Sequence, residues 1–366
     1  METKQWKDVL HIISGKNQKA VANPNGKYPI YGSGGIIGYA DDYLCEAGTT
    51  IVGRKGTINK PIFVDEPFWN IDTAFGVVPG KKLNAKYLYY FCLYFNFMPL
   101  DKSTGRPSLA KSVLLKIKMP VPSLSKQEQI VKQIEESLSQ LDSAVATLNK
   151  TKQQLEIYRQ AVLKEAFDIS AVKQGALSDL CSSIVDCPHS TPKWTKEGKL
   201  CLRTTNFKTG YLDLSEKNYV DQETFNLRNK RLVPLPGDIV YSREGAILGI
   251  ACIIPDNTYA CLGQRMMVIR TSDSLNNRFL MHFLNSPKVN AYIKKMTGGS
   301  ASPHVNVKDI KALQIPLFSV FQQEQMAKTI DSKLSICESI ELTVNQSLQQ
   351  AEALRQSILK QAFEVE

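Results

Sequence analysis

The chain has 366 residues, too many for one ordinary core and enough for two or more domains. A charged fraction of 22% beside a hydrophobic fraction of 43% excludes a disordered chain, and the longest apolar runs, such as Tyr87 to Tyr94, are far too short to span a bilayer. The formal charge of +10 is uneven: residues 1–116 carry +6 and 170–312 carry +7, whereas 117–169 sum to zero and 313–366 to −3. Two anion-binding surfaces on a neutral frame would give this pattern, as would ordinary solubility charge. The opening METKQWKDVL lacks a basic segment followed by an apolar one, so a cytoplasmic location is expected. The eight cysteines are scattered without a Cys-x-x-Cys pair and are expected to be reduced thiols in or near the core.

The first block, residues 1–122, has many short β-rich runs broken by Gly, Pro and Asn. YGSGGIIG (Tyr31–Gly38) lacks the strict G-x-G-x-x-G spacing and a surrounding βαβ unit, so it is a glycine-rich turn. TIVGRKGTINKPIFV (Thr50–Val64) is an apolar strand, a turn holding Arg54, Lys55 and Gly56, and a second apolar strand. A helical stretch, Lys86–Phe95, follows, then the small-residue loop DKSTGRPS (Asp101–Ser108), a short helix and a strand ending at Pro120.

Residues 123–169 form one long helix. Leu141, Leu148, Leu155 and Val162 recur every seventh residue, with Leu138, Val145 and Ala166 on the adjoining stripe, which is a heptad seam. Ser125 with Glu128 resembles a capping box. The second block, 170–318, repeats the plan of the first: DIVYSREGAILGIACII (Asp238–Ile254) parallels Thr50–Val64, and SASPHVNVKDIKALQIP (Ser300–Pro316) parallels Gly105–Pro120. Residues 319–366 repeat the long helix. PVPSLSKQEQ from Pro120 and PLFSVFQQEQ from Pro316 align at an offset of 196 residues, which also aligns RQAVLKEAF (Arg159–Phe167) with RQSILKQAF (Arg355–Phe363). The second seam is Cys337, Val344, Ala351 and Ile358, with Leu334, Leu348 and Ala362 beside it. Either seam alone would stay exposed, whereas two in one chain can bury each other. The expected fold is α+β: two domains with curved, β-rich sheets, separated by two long helices that form an antiparallel coiled coil with pseudo-twofold symmetry.

This layout resembles the DNA-specificity (S) subunit of type I restriction–modification systems over essentially the whole chain. The twin Pro-x-x-Ser-x-x-x-Gln-Glu-Gln openings carry the resemblance, with KYPIYGSGGIIGYADDY (Lys27–Tyr43), LPGDIVYSREGAILG (Leu235–Gly249) and GGSASPHVNVKDIKALQIP. One departure is visible: the first copy has the family's second proline (Pro122), and the second has Phe318. The resemblance implies two target-recognition domains that each read half of a split, asymmetric double-stranded DNA site, with the helices as a ruler. It implies two methyltransferase (M) subunits docked on the helices and restriction (R) motor–nuclease subunits joining them. No cofactor is expected in this chain; S-adenosylmethionine, ATP and Mg2+ would belong to the partner subunits, and no membrane is involved. The twin Gln-Glu-Gln segments, Gln127, Glu128, Gln129 and Gln323, Glu324, Gln325, are the expected partner-docking residues.

The candidate DNA contacts follow in pairs. Arg54 and Lys55 sit at a strand-end turn that can enter a groove, and Ser242, Arg243 and Glu244 hold the matching place. Lys102, Ser103, Thr104 and Arg106, matched by Lys294, Lys295, Ser300 and His304, lie in small-residue loops that let backbone approach phosphate. Gln264 and Arg265 can pair with base edges, with Trp69, Asn70 and Thr73 their counterparts. Solvated turns and connectors are the alternative for each pair. Tyr28, Tyr31, Tyr39 and Trp194 are core or rim residues rather than stacking platforms.

Enzymatic motifs are missing. There is no P-loop and no Asn/Asp-Pro-Pro-Tyr/Phe amino-methyltransferase signature. Asp186 with Glu197 and Lys199 mimics a nuclease set only loosely, and Cys187-Pro188-His189 is too sparse for zinc. The expectation is therefore a non-catalytic recognition subunit. A self-contained DNA-cleaving or modifying enzyme with a divergent site, or a coiled-coil scaffold, are the alternatives.

Overall fold

The computed structural model describes residues 2–168, 172–297 and 303–364. Two helices of 44 residues each, Leu124–Phe167 and Val320–Phe363, contain no glycine or proline to break them. Their caps lie two residues before the expected Ser125: Ser123 accepts from the Lys126 amide at 3.4 Å, and Ser319 forms a reciprocal box with Gln322. Ser125 itself lies inside the first helix.

The chain divides into two compact units, Met1–Asn149 with Val344–Glu366, and Lys150–Thr343. The division runs through both long helices rather than at their ends. Each unit thus contains a β-rich domain, the first part of the helix that follows it and the last part of the other helix.

In the first unit a four-stranded antiparallel sheet has the order Leu10–Ser14, Ala74–Pro79, Thr49–Gly53, Ile62–Val64. A smaller sheet is built on the hairpin Tyr28–Gly32/Gly35–Ala40, with Trp69–Asn70 added parallel. The second unit repeats the larger sheet as Cys181–Asp186, Met266–Thr271, Ile239–Ser242, Ala251–Ile253. Its smaller sheet again contains one parallel pair, Lys199–Leu202 with Ala260–Leu262. A two-stranded clasp joins the start of each domain to the strand before its long helix, Thr3–Gln5 with Lys118–Pro120 and Gln174–Ala176 with Gln314–Pro316.

Within each unit the helix segments run antiparallel. Arg159 meets Glu341 at 2.6 Å and Lys333 meets Glu165 at 3.4 Å in the second unit, and Asp142 pairs with Arg355 in the first. Part of the expected seam is buried, Leu138, Val344 and Ala351 in the first unit and Leu155, Val162 and Cys337 in the second, whereas Leu141, Leu148 and Ile358 are half-buried. The same segments enter the domain cores. Phe363 packs on Tyr87 and Phe91, and Phe167 on Phe279 and Phe283. All eight cysteines are free thiols, seven of them buried and Cys181 partly so.

One polar latch ties each domain to its helix, and it is the same latch twice. Gln127 is fully buried. Its Oε1 accepts from the Asn84 amide at 2.8 Å, and its Nε2 donates to the carbonyls of Lys82 (2.9 Å) and Pro122 (2.8 Å). Gln323 does likewise with the Asn276 amide (2.7 Å) and the carbonyls of Ser274 (3.0 Å) and Phe318 (2.9 Å). Asn84 and Asn276 in turn cap the short helices Ala85–Tyr94 and Asn277–Leu284. These two glutamines are therefore not partner contacts as expected: every polar atom they carry is committed inside the unit. The Pro122-to-Phe318 difference leaves the latch intact because the contact is to main chain, and the Phe318 ring packs on Phe279.

An ionic contact lies two turns further along each helix. Lys86 pairs with Glu135 at 2.6 Å in the first unit. In the second, Arg278 Nε stands 2.7 Å and His282 Nε2 2.8 Å from the Asp331 carboxylate. Burial alone would raise the Asp331 pKa, but these two contacts outweigh it and hold the group below its ordinary value.

Replacing Gln127 or Gln323 by Ala leaves several buried main-chain groups unpaired, at roughly 1–3 kcal/mol per group. Both variants of the full chain should lose similar amounts of stability in urea unfolding, whereas Ala at the exposed Glu128 should change little. Ionised Asp331 favours the folded state, so its contribution is complete above the unfolded carboxylate pKa of about 3.9 and fades as pH falls through the lower folded value. Asp331→Asn should accordingly flatten the acid side of the stability–pH curve; an unchanged slope would remove this role.

Candidate nucleic-acid interface

The strand-end turn and the proline loop, separate in sequence, form one clamp. In the first unit, strand Thr49–Gly53 runs into Arg54, whose amide and that of Lys55 donate to the Thr73 carbonyl (2.8 and 3.1 Å). Gly56 donates to the Pro107 carbonyl at 2.9 Å, and Leu109 returns a bond to the Arg54 carbonyl at 2.8 Å. In the second unit, Arg243 donates to the Arg265 carbonyl, Gly245 to the Pro303 carbonyl and Val305 to the Arg243 carbonyl, each at 2.9 Å. Gly56 and Gly245 have φ of 84° and 85°, a left-handed conformation that favours glycine. The clamp is main chain throughout, so its side chains are free to differ.

They differ sharply. In the first unit Lys55, Lys102, Ser103, Thr104 and Arg106 are exposed, and Arg54 is half-buried with its guanidinium over the Phe75 ring. Asp101 shapes the loop by accepting from the Ser103 amide and hydroxyl and from the Ser108 amide, which holds its carboxyl below the usual range. Ser103 thus spends its hydroxyl on the loop. Arg54, Lys102 and Ser103 line a concave pocket of about 520 Å³ together with Ser14 and Lys111. Lys111, which the sequence reading passed over, reaches the Ile12 carbonyl at 2.6 Å.

In the second unit the equivalent arginine is withdrawn from the surface. Arg243 is 5% exposed and grips Asp186 with Nε and Nη2 (2.7 and 2.8 Å), with Glu244 at 2.8 Å and the Val305 carbonyl at 3.3 Å. Burial acts to lower its pKa, but the Asp186 and Glu244 carboxylates outweigh burial and raise it, so the guanidinium stays charged. Ser242 is fully buried and bonded to the Ile250 main chain. Arg243 and Ser242, expected at the DNA, are therefore structural: the buried ion pair consumes the Arg243 donors, and the Ser242 hydroxyl is committed to the Ile250 main chain. Glu244 is half-buried in the same network, and the exposed His189 lies 3.1 Å from Asp186.

The surface cation of this turn is Arg265. It is exposed, adopts a φ of 68°, and lies so close over Gly245 that a Cβ there would stand 3.2 Å from its Nη1. A non-glycine residue in this region costs about 1–3 kcal/mol and is held by the clamp bond to its carbonyl. Gln264 Nε2 donates to the His189 carbonyl. Lys294 and Lys295 are exposed in the last turn of helix Pro287–Thr297, and His304 is exposed with its main chain bridging Glu244. Ser300 lies outside the described residues.

The remaining candidates fall in the core or on the rim. Asn70 is fully buried, donating to the Ala74 carbonyl, and the Trp69 indole N–H bonds the Lys16 carbonyl. Trp194 is exposed with Arg203 over its ring. Both oxygens of Asp186 accept from Arg243, so this carboxylate is engaged in a structural ion pair. Among the described residues no group of three or more His, Cys, Asp or Glu stands where it could hold a metal ion. On the helices Glu128, Gln129 and Gln325 are exposed and Glu324 is half-buried.

The family model described as type I restriction modification DNA specificity domain matches residues 1–157 and 175–350. A putative type I restriction enzyme specificity subunit of Haemophilus influenzae is 24% identical, over 97% of this chain and 95% of its own length. The EcoBI specificity subunit of Escherichia coli is also 24% identical, over 86% of this chain and 72% of its own. A chain from a structure on complex assembly and conformational transition of the type I R–M system superposes with a TM-score of 0.77 at 16% identity, covering 99% of this chain and 97% of that one. The HsdS subunit from Thermoanaerobacter tengcongensis gives a TM-score of 0.56 at 16% identity, covering 99% and 96%.

Arg243→Ala would strand two carboxylates and should destabilise the second unit by about 3 kcal/mol. Arg54→Ala removes a half-exposed stacking contact and should cost no more than about 1 kcal/mol. Thermal unfolding of both variants tests the contrast; equal losses would contradict it.

Proposed function

The chain belongs to the family of type I restriction–modification DNA specificity domains, and on that premise we propose that each β-rich domain reads one half of a split, asymmetric DNA site. The chain is the DNA sequence-recognition subunit of such a system and is not itself an enzyme. The duplicated clamp carries the proposal: one main-chain framework presents Arg54, Lys55 and Arg106 in the first unit and Arg265 and His304 in the second. Different side chains on the same framework favour two different half-sites. In the first domain Arg54, Lys55, Lys102, Thr104 and Arg106 contact the duplex. In the second, Gln264, Arg265, Lys294, Lys295 and His304 do so.

A continuous helix joins the two domains, so its length sets the gap between half-sites, as spacing does in dimeric readers. Two methyltransferase subunits dock on the helices, where Glu128, Gln129 and Gln325 are open to solvent, and restriction subunits complete the assembly. S-adenosylmethionine, ATP and Mg2+ belong to those partners. No helix among the described residues is long and apolar enough to cross a membrane.

The test is to express the chain with its companion methyltransferase in an unmethylated host and sequence for modified adenine. A split motif with a fixed unspecified gap is expected. Deleting one heptad from each helix removes about 10 Å and should shorten that gap by about three base pairs while both half-sites persist. An unchanged gap would sink the ruler, and no new methylation from a soluble, associated pair would sink the recognition role.

A further inference from the structure

The hairpin Tyr28–Gly32/Gly35–Ala40 carries an apolar pair that neither the core nor the clamp explains. Ile36 is 52% exposed and Ile37 is 55% exposed. The pairing of the two strands skips Ile37, passing from Ile30–Gly38 to Tyr31–Ile36 in a β-bulge, so the regular alternation of faces is broken here. Both isoleucines are left open to solvent. The turn allows this: a Cβ at Gly34 or Gly35 would meet nothing within 4 Å. Further along the ribbon Ile30 and Ala40 are buried, and the parallel pairing with Trp69–Asn70 anchors it.

The tip adjoins the cationic clamp. A Cβ on Gly32 would stand 3.5 Å from Thr73 Oγ1 and 3.8 Å from Ile37 Cγ2, and it is the Thr73 carbonyl that holds the Arg54 and Lys55 amides. A Cβ on Gly56 would stand 3.7 Å from Ser33 Oγ and 3.8 Å from Arg106 Nε. The two isoleucines and the cations therefore share one surface. Asp41 and Asp42 lie at the opposite end of the ribbon, where Asp41 accepts from Asn23.

An apolar tip beside Arg106 and the turn that carries Arg54 and Lys55 suits duplex DNA by charge. The major groove admits a two-stranded β-ribbon, and the apolar feature that base edges offer there is the thymine methyl. We propose that Ile36 and Ile37 read thymine methyl groups in the half-site bound by the first domain, which rests on the recognition role given above. In the second unit the strand with the equivalent parallel pairing, Lys199–Leu202, is bordered by Tyr219–Val220, and no exposed isoleucine pair occurs beside it among the described residues. The isoleucine contact is thus assigned to the first domain's half-site.

The full chain with its companion methyltransferase is used to select its sequence from random duplexes. Each thymine of that sequence is then replaced in turn by deoxyuridine, which lacks only the methyl. The natural chain should bind about three- to five-fold more weakly at one or two thymines, all within one half-site. The Ile36→Ser/Ile37→Ser variant should be weaker on the natural duplex and indifferent to uracil, with an unchanged unfolding midpoint. Equal uracil sensitivity in both proteins, or none in either, overturns the proposal. A variant weakened alike on every duplex acts through the backbone or as a wedge, and that also overturns it. If the natural chain selects no sequence, the recognition role fails and this inference fails with it.

Discussion

The buried glutamine at the start of each long helix is the constraint on which both units depend. Gln127 and Gln323 place a primary amide where a short helix, a loop and a long helix meet, and every hydrogen bond the amide can make in that geometry goes to main chain. A buried amide tolerates little displacement, because each lost bond leaves a desolvated group. The latch therefore fixes how a recognition domain stands on its helix. The repeated Gln-Glu-Gln segment is explained by this internal duty. Its middle and last residues face outward, with Glu324 half-buried, and are the ones left for other work.

The clamp shows how such a framework permits divergence. Its hydrogen bonds join amides and carbonyls, and its two glycines supply the left-handed turn, so no side chain at the tip is needed to hold it. The first domain can then offer a cationic turn over a pocket. The second withdraws its arginine into a network with Asp186 and Glu244 and presents Arg265 instead. The proposed reading of two different sequences with one architecture would use this separation between what folds the site and what the site displays.

Much of the fold was legible in the sequence because duplication and periodicity are linear signals. The offset of 196 residues fixed the equivalence of Gln127 with Gln323 and of Pro107 with Pro303, and the heptad spacing named some of the residues buried along both helices, such as Leu155, Val162, Cys337 and Val344, but not Ile130, Ile134 or Leu359. The strand-turn-strand plan around Arg54 and Arg243 also needed only pattern. Legibility ended where identical residue types meet different neighbours. Arg54 and Arg243 hold the same place in the pattern, yet one lies over Phe75 and the other is locked to Asp186, some 57 residues away in the chain.

The sequence by itself determined the duplicated α+β plan, the two long helices and the placement of positive charge in two blocks. These follow from local propensity, apolar period and composition, none of which requires knowing what lies across the fold. Only the tertiary structure decided that the turn and the proline loop are one clamp, that two of the six predicted docking residues are latches, and that Arg265 replaces Arg243 at the surface. Each of those facts rests on burial and on hydrogen bonds between segments distant in the chain, which a one-dimensional pattern does not encode.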